Sequence, residues 1–250
     1  MISNVSEERR TPRRPLQLVM TLLLAAGCSS VRQPPVVRVT TETSFLSCEG
    51  RGDDSTYRSR TIRSPILTAP DGRQQAYVMV EAIALNAHEP EARSCQNVSR
   101  LRVAAGGSEF RDLFVQDPGG EGMNGNALRL VDWSPDSTQV LAELHRWLYP
   151  NQIAPPLLVI VRMADARVDG INVEEMIREK IPGQCALEIH AAGFSAEGLP
   201  VIRTSPGRNP LDGPPCAVAP THWLVHPAER TIEELPDSWT VRRYGTWGEL

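Results

Sequence analysis

The chain has 250 residues, of which 41% are hydrophobic and 22% charged, a balance typical of globular proteins and not of disordered ones. Its 21 Pro and 18 Gly, with short runs rich in Ile, Val and Thr, favour many strands joined by turns over long helices. A net charge of −4 provides no basic footprint for nucleic acid, so that class of partner is excluded.

Arg9, Arg10, Arg13 and Arg14 form a positive start, and Leu16 to Ala26 is an apolar stretch too short to span a bilayer. The stretch ends in small residues, so residues 1–27 read as a secretory signal. In "LLLAAGCSS" Cys28 stands directly after Ala-Ala-Gly. This resembles the bacterial lipobox, in which a peptidase cuts before a Cys that carries diacylglycerol. Ala25 occupies the position where Leu is preferred, and Leu24 lies one further out. The plainer alternative is an ordinary signal peptide with a coincidental Cys. The lipobox resemblance implies lipid attachment at Cys28 and tethering to the cell envelope. Ser29, in place of an Asp after that Cys, implies the outer membrane, with the domain facing the periplasm. Removing residues 1–27 takes away four Arg and two Glu and leaves the mature chain at −6. No polybasic patch remains, so the lipid is the expected membrane anchor. Residues 28–35 ("CSSVRQPP") read as a tether and residues 36–250 as the folded domain.

The domain opens with "VVRVTTETSFL", which alternates as a strand does, and continues into the polar loop "GRGDDSTYRSR". The Arg51-Gly52-Asp53 tripeptide in that loop reads as loop filler. A pattern then repeats. "RSPILTAPDGRQQAYVMVEAIAL", "ALRLVDWSPDSTQVLAELHRWL" and "ALEIHAAGFSAEGLPVIRT" each give strand, turn and strand. The turns fall at Pro70-Asp71-Gly72, Pro135-Asp136-Ser137 and Ala196-Glu197-Gly198, 65 and then 61 residues apart. A second hairpin follows each: "LRVAAGGSEFRDLFV", "LLVIVRMADARVDGINV" and "HWLVHPAERTIEEL". Three units of four antiparallel strands are therefore expected near residues 60–116, 126–175 and 184–236.

In the middle turn Pro135 fixes φ at the first corner, Asp136 can accept from backbone amides ahead of it, and a small residue next tolerates a left-handed conformation. Trp133 supplies a broad apolar face for a neighbouring sheet. The stretch Trp133-Ser134-Pro135-Asp136 resembles the "WSPDG" signature of TolB-type β-propeller repeats, with Ser137 in place of the usual Gly. The first unit keeps only Pro70-Asp71-Gly72, and the third keeps Phe194-Ser195 and Gly198. The resemblance spans roughly residues 60–236 and implies an all-β, propeller-like fold, not an activity. Closed propellers have four or more blades. Either the leftover strands Val36–Leu46 and Ser238–Trp247 pair as a partial fourth, or the protein is an open, incomplete propeller or a twisted sandwich. One helix is expected at "NVEEMIREKI", with Asn172 as cap and Glu175 three positions later.

Four cysteines remain after Cys28, and an even number in an exported chain points to disulfides with three possible connectivities. No CxxC pair occurs, and the one HxxxH spacing, His222 and His226, falls in a strand pattern, so no metal site is expected. Cys48 precedes the first hairpin of unit one and Cys95 its second, and Cys185 and Cys216 take the same places in unit three. Equivalent positions assign Cys48–Cys95 and Cys185–Cys216, each contributing roughly 3–4 kcal/mol by chain entropy.

Catalytic motifs are absent. "GFSAEG" lacks the second Gly of a nucleophile elbow, because Glu197 stands there, and Ser195 matches the turn residue Ser134. His88, His145, His190, His222 and His226 read as scattered surface or packing residues. His222 and His226 lie i,i+4 on a strand, about 13 Å apart and too far for one metal. "DPGGEGMNGNAL" (Asp117–Leu128) has no following Lys or helix and reads as a connection, not a phosphate loop. The sequon at Asn97-Val98-Ser99 carries no weight in a chain with a bacterial lipobox. Trp239, Tyr244 and Trp247 can bind a glycan or peptide, and closing the last sheet is the commoner role. The functional expectation is a membrane-anchored, non-catalytic binding or scaffolding module for an envelope protein, peptide or glycan, needing no cofactor. The alternative is an envelope hydrolase, which a His and a carboxylate converging in one pocket would favour.

Overall fold

The three repeated turns are built alike. In a computed structural model of the protein, the third turn residue donates its N–H back to the residue three before it: Gly72 to Ala69 (2.9 Å), Ser137 to Ser134 (3.0 Å) and Gly198 to Ser195 (3.1 Å). All three donors have positive φ (72°, 62° and 80°), the region for which glycine is best suited. Asp136 accepts from the Thr138 N–H and from the Ser134 and Thr138 hydroxyls, which locks the middle turn. The structure describes residues 37–39, 46, 48–49, 58–86, 94–117, 123–148, 152–208 and 213–248. The signal segment, Cys28, the tether and His88 lie outside them.

The strands are β1 (Val37–Val39), β2 (Arg60–Arg63), β3 (Leu67–Thr68), β4 (Gln74–Leu85), β5 (Ser94–Ala105), β6 (Arg111–Gln116), β7 (Met123–Trp133), β8 (Gln139–Leu148), β9 (Gln152–Arg162), β10 (Val168–Asn172), β11 (Leu187–Phe194), β12 (Pro200–Pro206), β13 (Thr221–His226), β14 (Thr231–Glu234) and β15 (Thr246–Trp247). The fold is all-β. Strands β7 to β10 form one four-stranded antiparallel meander and β11 to β14 a second, each in chain order. The first unit is larger than four strands: β4 pairs with β2, β3 and β5, β6 pairs with β5, and β1 and β15 bring the sheet to seven. None of the sheets closes on itself.

The leftover strands do not form a partial fourth sheet among the described residues. Instead β1 lies parallel to β2, and β15 pairs antiparallel with β3, so the C-terminal strand returns to the first sheet. Asp132 explains the return. Its buried carboxylate accepts from the N–H groups of Tyr244 (3.2 Å) and Gly245 (2.9 Å), and Arg243 donates to the Val131 carbonyl (3.2 Å). Gly245 passes so close to the core that an added Cβ would sit 2.8 Å from a Leu67 methyl.

Alternation along β8 explains the stacking. Successive side chains point to opposite faces of a strand. Val140, Ala142 and Leu144 join Leu67, Val78, Leu101 and Trp133 in the core between the first and second sheets. Leu141 faces the other way and joins Ile160, Phe194, Ile202 and Trp223 between the second and third. Sheet two is thus buried on both faces, which is why its strands read as near-continuous apolar runs. Trp133 is fully buried and donates its indole N–H to the Leu67 carbonyl (3.0 Å).

The helix α1 (Val173–Lys180) follows β10 directly, with the Asn172 side chain accepting from the Glu174 N–H (3.1 Å). Its Val173, Met176 and Ile177 pack into the second core. No helix among the described residues is long and apolar enough to cross a membrane. Disulfides join Cys48 to Cys95 and Cys185 to Cys216, the two pairs assigned by equivalent position. The first seals a small apolar cluster of Leu46, Ile62, Val80 and Ala82.

Candidate functional site

Glu143 is the next residue after Leu141 on the face of β8 turned to the third sheet. It is fully buried, in a strand whose neighbours Leu141, Ala142 and Leu144 are apolar. A carboxylate persists in such a place only when its charge and lone pairs are matched. Arg129, directly opposite on β7, pairs with Oε2 through its guanidinium. The Ala191 N–H on β11 donates to the same oxygen at 2.6 Å, and Arg129 also donates to the Ala191 carbonyl (3.0 Å). The other oxygen, Oε1, lies 2.6 Å from His145 Nε2 and 3.1 Å from His190 Nδ1. His145 shares the face of Glu143 because it is two residues on. His190 comes from β11, where its alternating partner Ile189 points into the core.

The electrostatics follow from this packing. Burial alone would raise the Glu143 pKa, but the hydrogen bonds to His145 and His190 and the charge of Arg129 outweigh it and hold the carboxyl well below the usual range. His190 is pushed up, because its hydrogen bond to Glu143 outweighs burial and the repulsion of Arg129. Glu143 is therefore ionised at neutral pH, and it holds the imidazole of His190 at a groove wall.

That groove, of about 980 Å³, runs along the third sheet. Four arginines line it, Arg129, Arg203, Arg208 and Arg243, against one carboxylate, Glu188. Glu188 is engaged with the Ser205 hydroxyl (3.4 Å) and the Arg208 backbone N–H (3.2 Å). Among the described residues, neither the Arg203 nor the Arg208 side chain has a carboxylate partner, and Arg243 bonds only a carbonyl. His222 also lines the groove, its pKa lowered by burial and then by the Arg203 charge. It packs against Trp239 at 4.9 Å between ring centroids, beside a smaller recess of about 360 Å³.

The histidines therefore do not stay scattered, as their spacing in the chain suggested. His145 and His190 meet at one carboxylate, and His222 opens on the same groove. His226 stands apart, 3.7 Å from Glu233. Ser195 is buried in its turn, its hydroxyl accepting from the Leu199 N–H (3.3 Å) as Ser134 accepts from Gln139 (2.9 Å). Asn97 is 1% exposed, which leaves the sequon no access to modification. Of the C-terminal aromatics Trp239 lines the smaller recess beside the groove, against His222. Tyr244 packs on the second core, and Trp247 closes the first sheet rather than the last. Sequence reasoning missed Glu143 and the arginines. One signal was present, a lone carboxylate at the centre of "VLAELH", where both faces of the strand must be buried.

In comparisons with known proteins, no family model and no curated protein matches the chain.

Proposed function

We propose that the protein is a lipid-anchored binding module of the bacterial envelope, which holds an anionic group of its partner in the arginine-lined groove. The anchor rests on the arginine-rich start, the apolar stretch and Ala-Ala-Gly-Cys28. The observation that carries the binding reading is the pair Arg203 and Arg208, guanidinium groups without carboxylate partners among the described residues, in the concave part of a chain that is acidic overall. Guanidinium forks match carboxylate and phosphate oxygens in pairs, and a concave wall of one sign concentrates the opposite charge. Trp239 and His222 beside them offer two aromatic rings, inclined to one another, for the rest of the ligand. An acidic peptide or an acid-bearing glycan fits that chemistry.

Titration of the mature domain with an oligoglutamate peptide, a phosphorylated oligosaccharide and a neutral oligosaccharide tests this reading. An Arg203→Ala, Arg208→Ala variant should lose tenfold or more in affinity for an anionic probe, since each charge-assisted contact contributes about 1.5–3 kcal/mol. Equal binding by wild type and variant, or a preference for the neutral probe, overturns it. For the anchor, Cys28→Ala should release the protein from membranes, and a variant that stays bound shows the anchor to lie elsewhere.

One observation favours the second reading, envelope hydrolysis: a carboxylate and a histidine converge at the groove wall. His190 held by Glu143 has the arrangement of a general base and its orienting group. Among the described residues, the one hydroxyl side chain lining the groove, Ser205, is turned to Glu188, and so the binding reading stands first.

A further inference from the structure

Three donor atoms converge at the edge of the second and third sheets: Glu143 Oε1, His145 Nε2 and His190 Nδ1. One ligand atom from each residue lies within 4.8 Å of the others. We propose that these three side chains bind a divalent transition metal ion of the zinc class, with one coordination position left open toward the groove. The site lies beside Arg203 and Arg208 of the binding reading but does not depend on them.

The geometry carries the inference in three steps. A tetrahedral ion held at about 2.0–2.2 Å from each donor sets its ligand atoms about 3.3–3.5 Å apart. Oε1 is already 3.1 Å from His190 Nδ1 and 2.6 Å from His145 Nε2, so the second pair must spread by under an ångström. Both imidazoles reach solvent and have room to move: their side chains are 26% and 51% exposed, whereas Glu143 is fully buried.

The second step is the orientation of the carboxylate. Its outer oxygen, Oε2, is occupied by Arg129 and by the Ala191 N–H. That leaves Oε1 as a single, aimed donor. Outer hydrogen bonds that fix a ligating carboxylate are the usual support of a metal site.

The third step is ligand chemistry. Two imidazoles and one carboxylate suit zinc and its neighbours rather than calcium or magnesium, which take oxygen cages. Three protein ligands with a fourth position open is the arrangement of sites that bind water or an exogenous anion, whereas structural zinc sites are closed by four protein ligands. The open side faces the groove, since His190 lines it. An anionic ligand gripped by the arginines would then be in reach of the ion.

Calorimetric titration of the EDTA-stripped, dialysed mature domain with ZnCl2 alone tests the site. The expected result is one ion per chain with micromolar or tighter affinity, accompanied by a rise in Tm. His145→Ala and His190→Ala should each weaken binding at least tenfold, while His226→Ala, remote from the cluster, should match wild type. Glu143→Gln tests the carboxylate donor without removing the side chain's volume. A circular dichroism melt checks that each variant folds. Absence of saturable one-to-one binding overturns the proposal, as does unchanged affinity in a folded His190→Ala protein. Because the probe is the metal alone and the substitutions spare Arg203 and Arg208, failure here is separable from failure of the anionic-ligand reading.

Discussion

The second sheet has two faces, and they are finished differently. Toward the first sheet the contact is apolar over its core, with Trp133, Leu128, Val140 and Leu144 set against Leu67, Val78 and Leu101, and a neutral amide finishes it, Asn126 donating to the Asn97 carbonyl (3.0 Å). Toward the third sheet it begins the same way, with Leu141 and Ile160 against Phe194 and Ile202. It then changes character, and Glu143, His145, Arg129 and His190 complete it. The same strands supply both faces, from alternate residues. A Leu at position 143 would bury without needing four partners, and well-packed apolar replacements of buried ion pairs are often neutral or stabilising. Stability therefore does not account for the polar end of this interface. The proposed binding role, which needs ionisable side chains at the groove, does.

The largest effect is expected on the apolar face. Trp133→Ala removes a fully buried indole and leaves the Leu67 carbonyl without its donor. The loss should be about 3–5 kcal/mol. Urea unfolding measures it, and a loss under about 1 kcal/mol would show that the first two sheets are not held by this contact.

Next comes the polar face. Glu143→Ala strands Arg129 and the Ala191 N–H, and breaking a buried pair from one side costs about 3–5 kcal/mol. Arg129 is 28% exposed and can hydrate, so the lower end of that range is expected. A double Arg129→Met, Glu143→Leu variant should recover most of the loss while abolishing metal binding. If it stays as unstable as the single variant, the cluster is structural.

The same face should give metal-free protein a characteristic pH profile. Glu143 is held below its ordinary value, so its stabilisation is complete above the unfolded carboxyl pKa of about 4.3 and fades as pH falls below that. His190 is raised, so its contribution is complete below about 6.5 and fades as pH rises through its folded value. Arg129 and Glu188 also act on the imidazole, the first opposing its charge and the second favouring it. Stability should therefore peak between those two limits, and Glu143→Gln should flatten both flanks. An unaltered profile in that variant would assign the slopes to other groups.

The contrast between the faces also sets how much was legible in the sequence. Turns and alternation are local, so the three units, their hairpin order, the helix cap at Asn172 and the two disulfides could be read from spacing. The return of the last strand could not, because it depends on Asp132 reaching amides 112 and 113 residues away. The site was equally hidden. Glu143 and His190 are 47 residues apart and meet only because the second and third sheets stack face to face. Of the whole cluster, only the Glu143-Leu144-His145 spacing, which places two side chains on one face, was written locally.

The smallest effect belongs to the middle turn, where Ser137 stands in place of the glycine that its φ of 62° would favour. A left-handed conformation costs a residue with a Cβ about 1 kcal/mol relative to glycine. The structure supplies the compensation. The Ser137 hydroxyl accepts from the Asp71 N–H (3.1 Å), tying the turn of the first unit to that of the second. A hydrogen bond of this kind contributes about 1 kcal/mol net. The two terms nearly cancel, so Ser137→Gly, which relieves the backbone and loses the bond, should lie within about 0.5 kcal/mol of wild type. Ser137→Ala keeps the strain and loses the bond, and should be less stable than Ser137→Gly by about 1 kcal/mol. The order of the two variants in urea unfolding decides the matter. If Ala is the more stable, the left-handed backbone at this turn is not what the substitution relieves, and the serine is there for its bond to the first sheet alone.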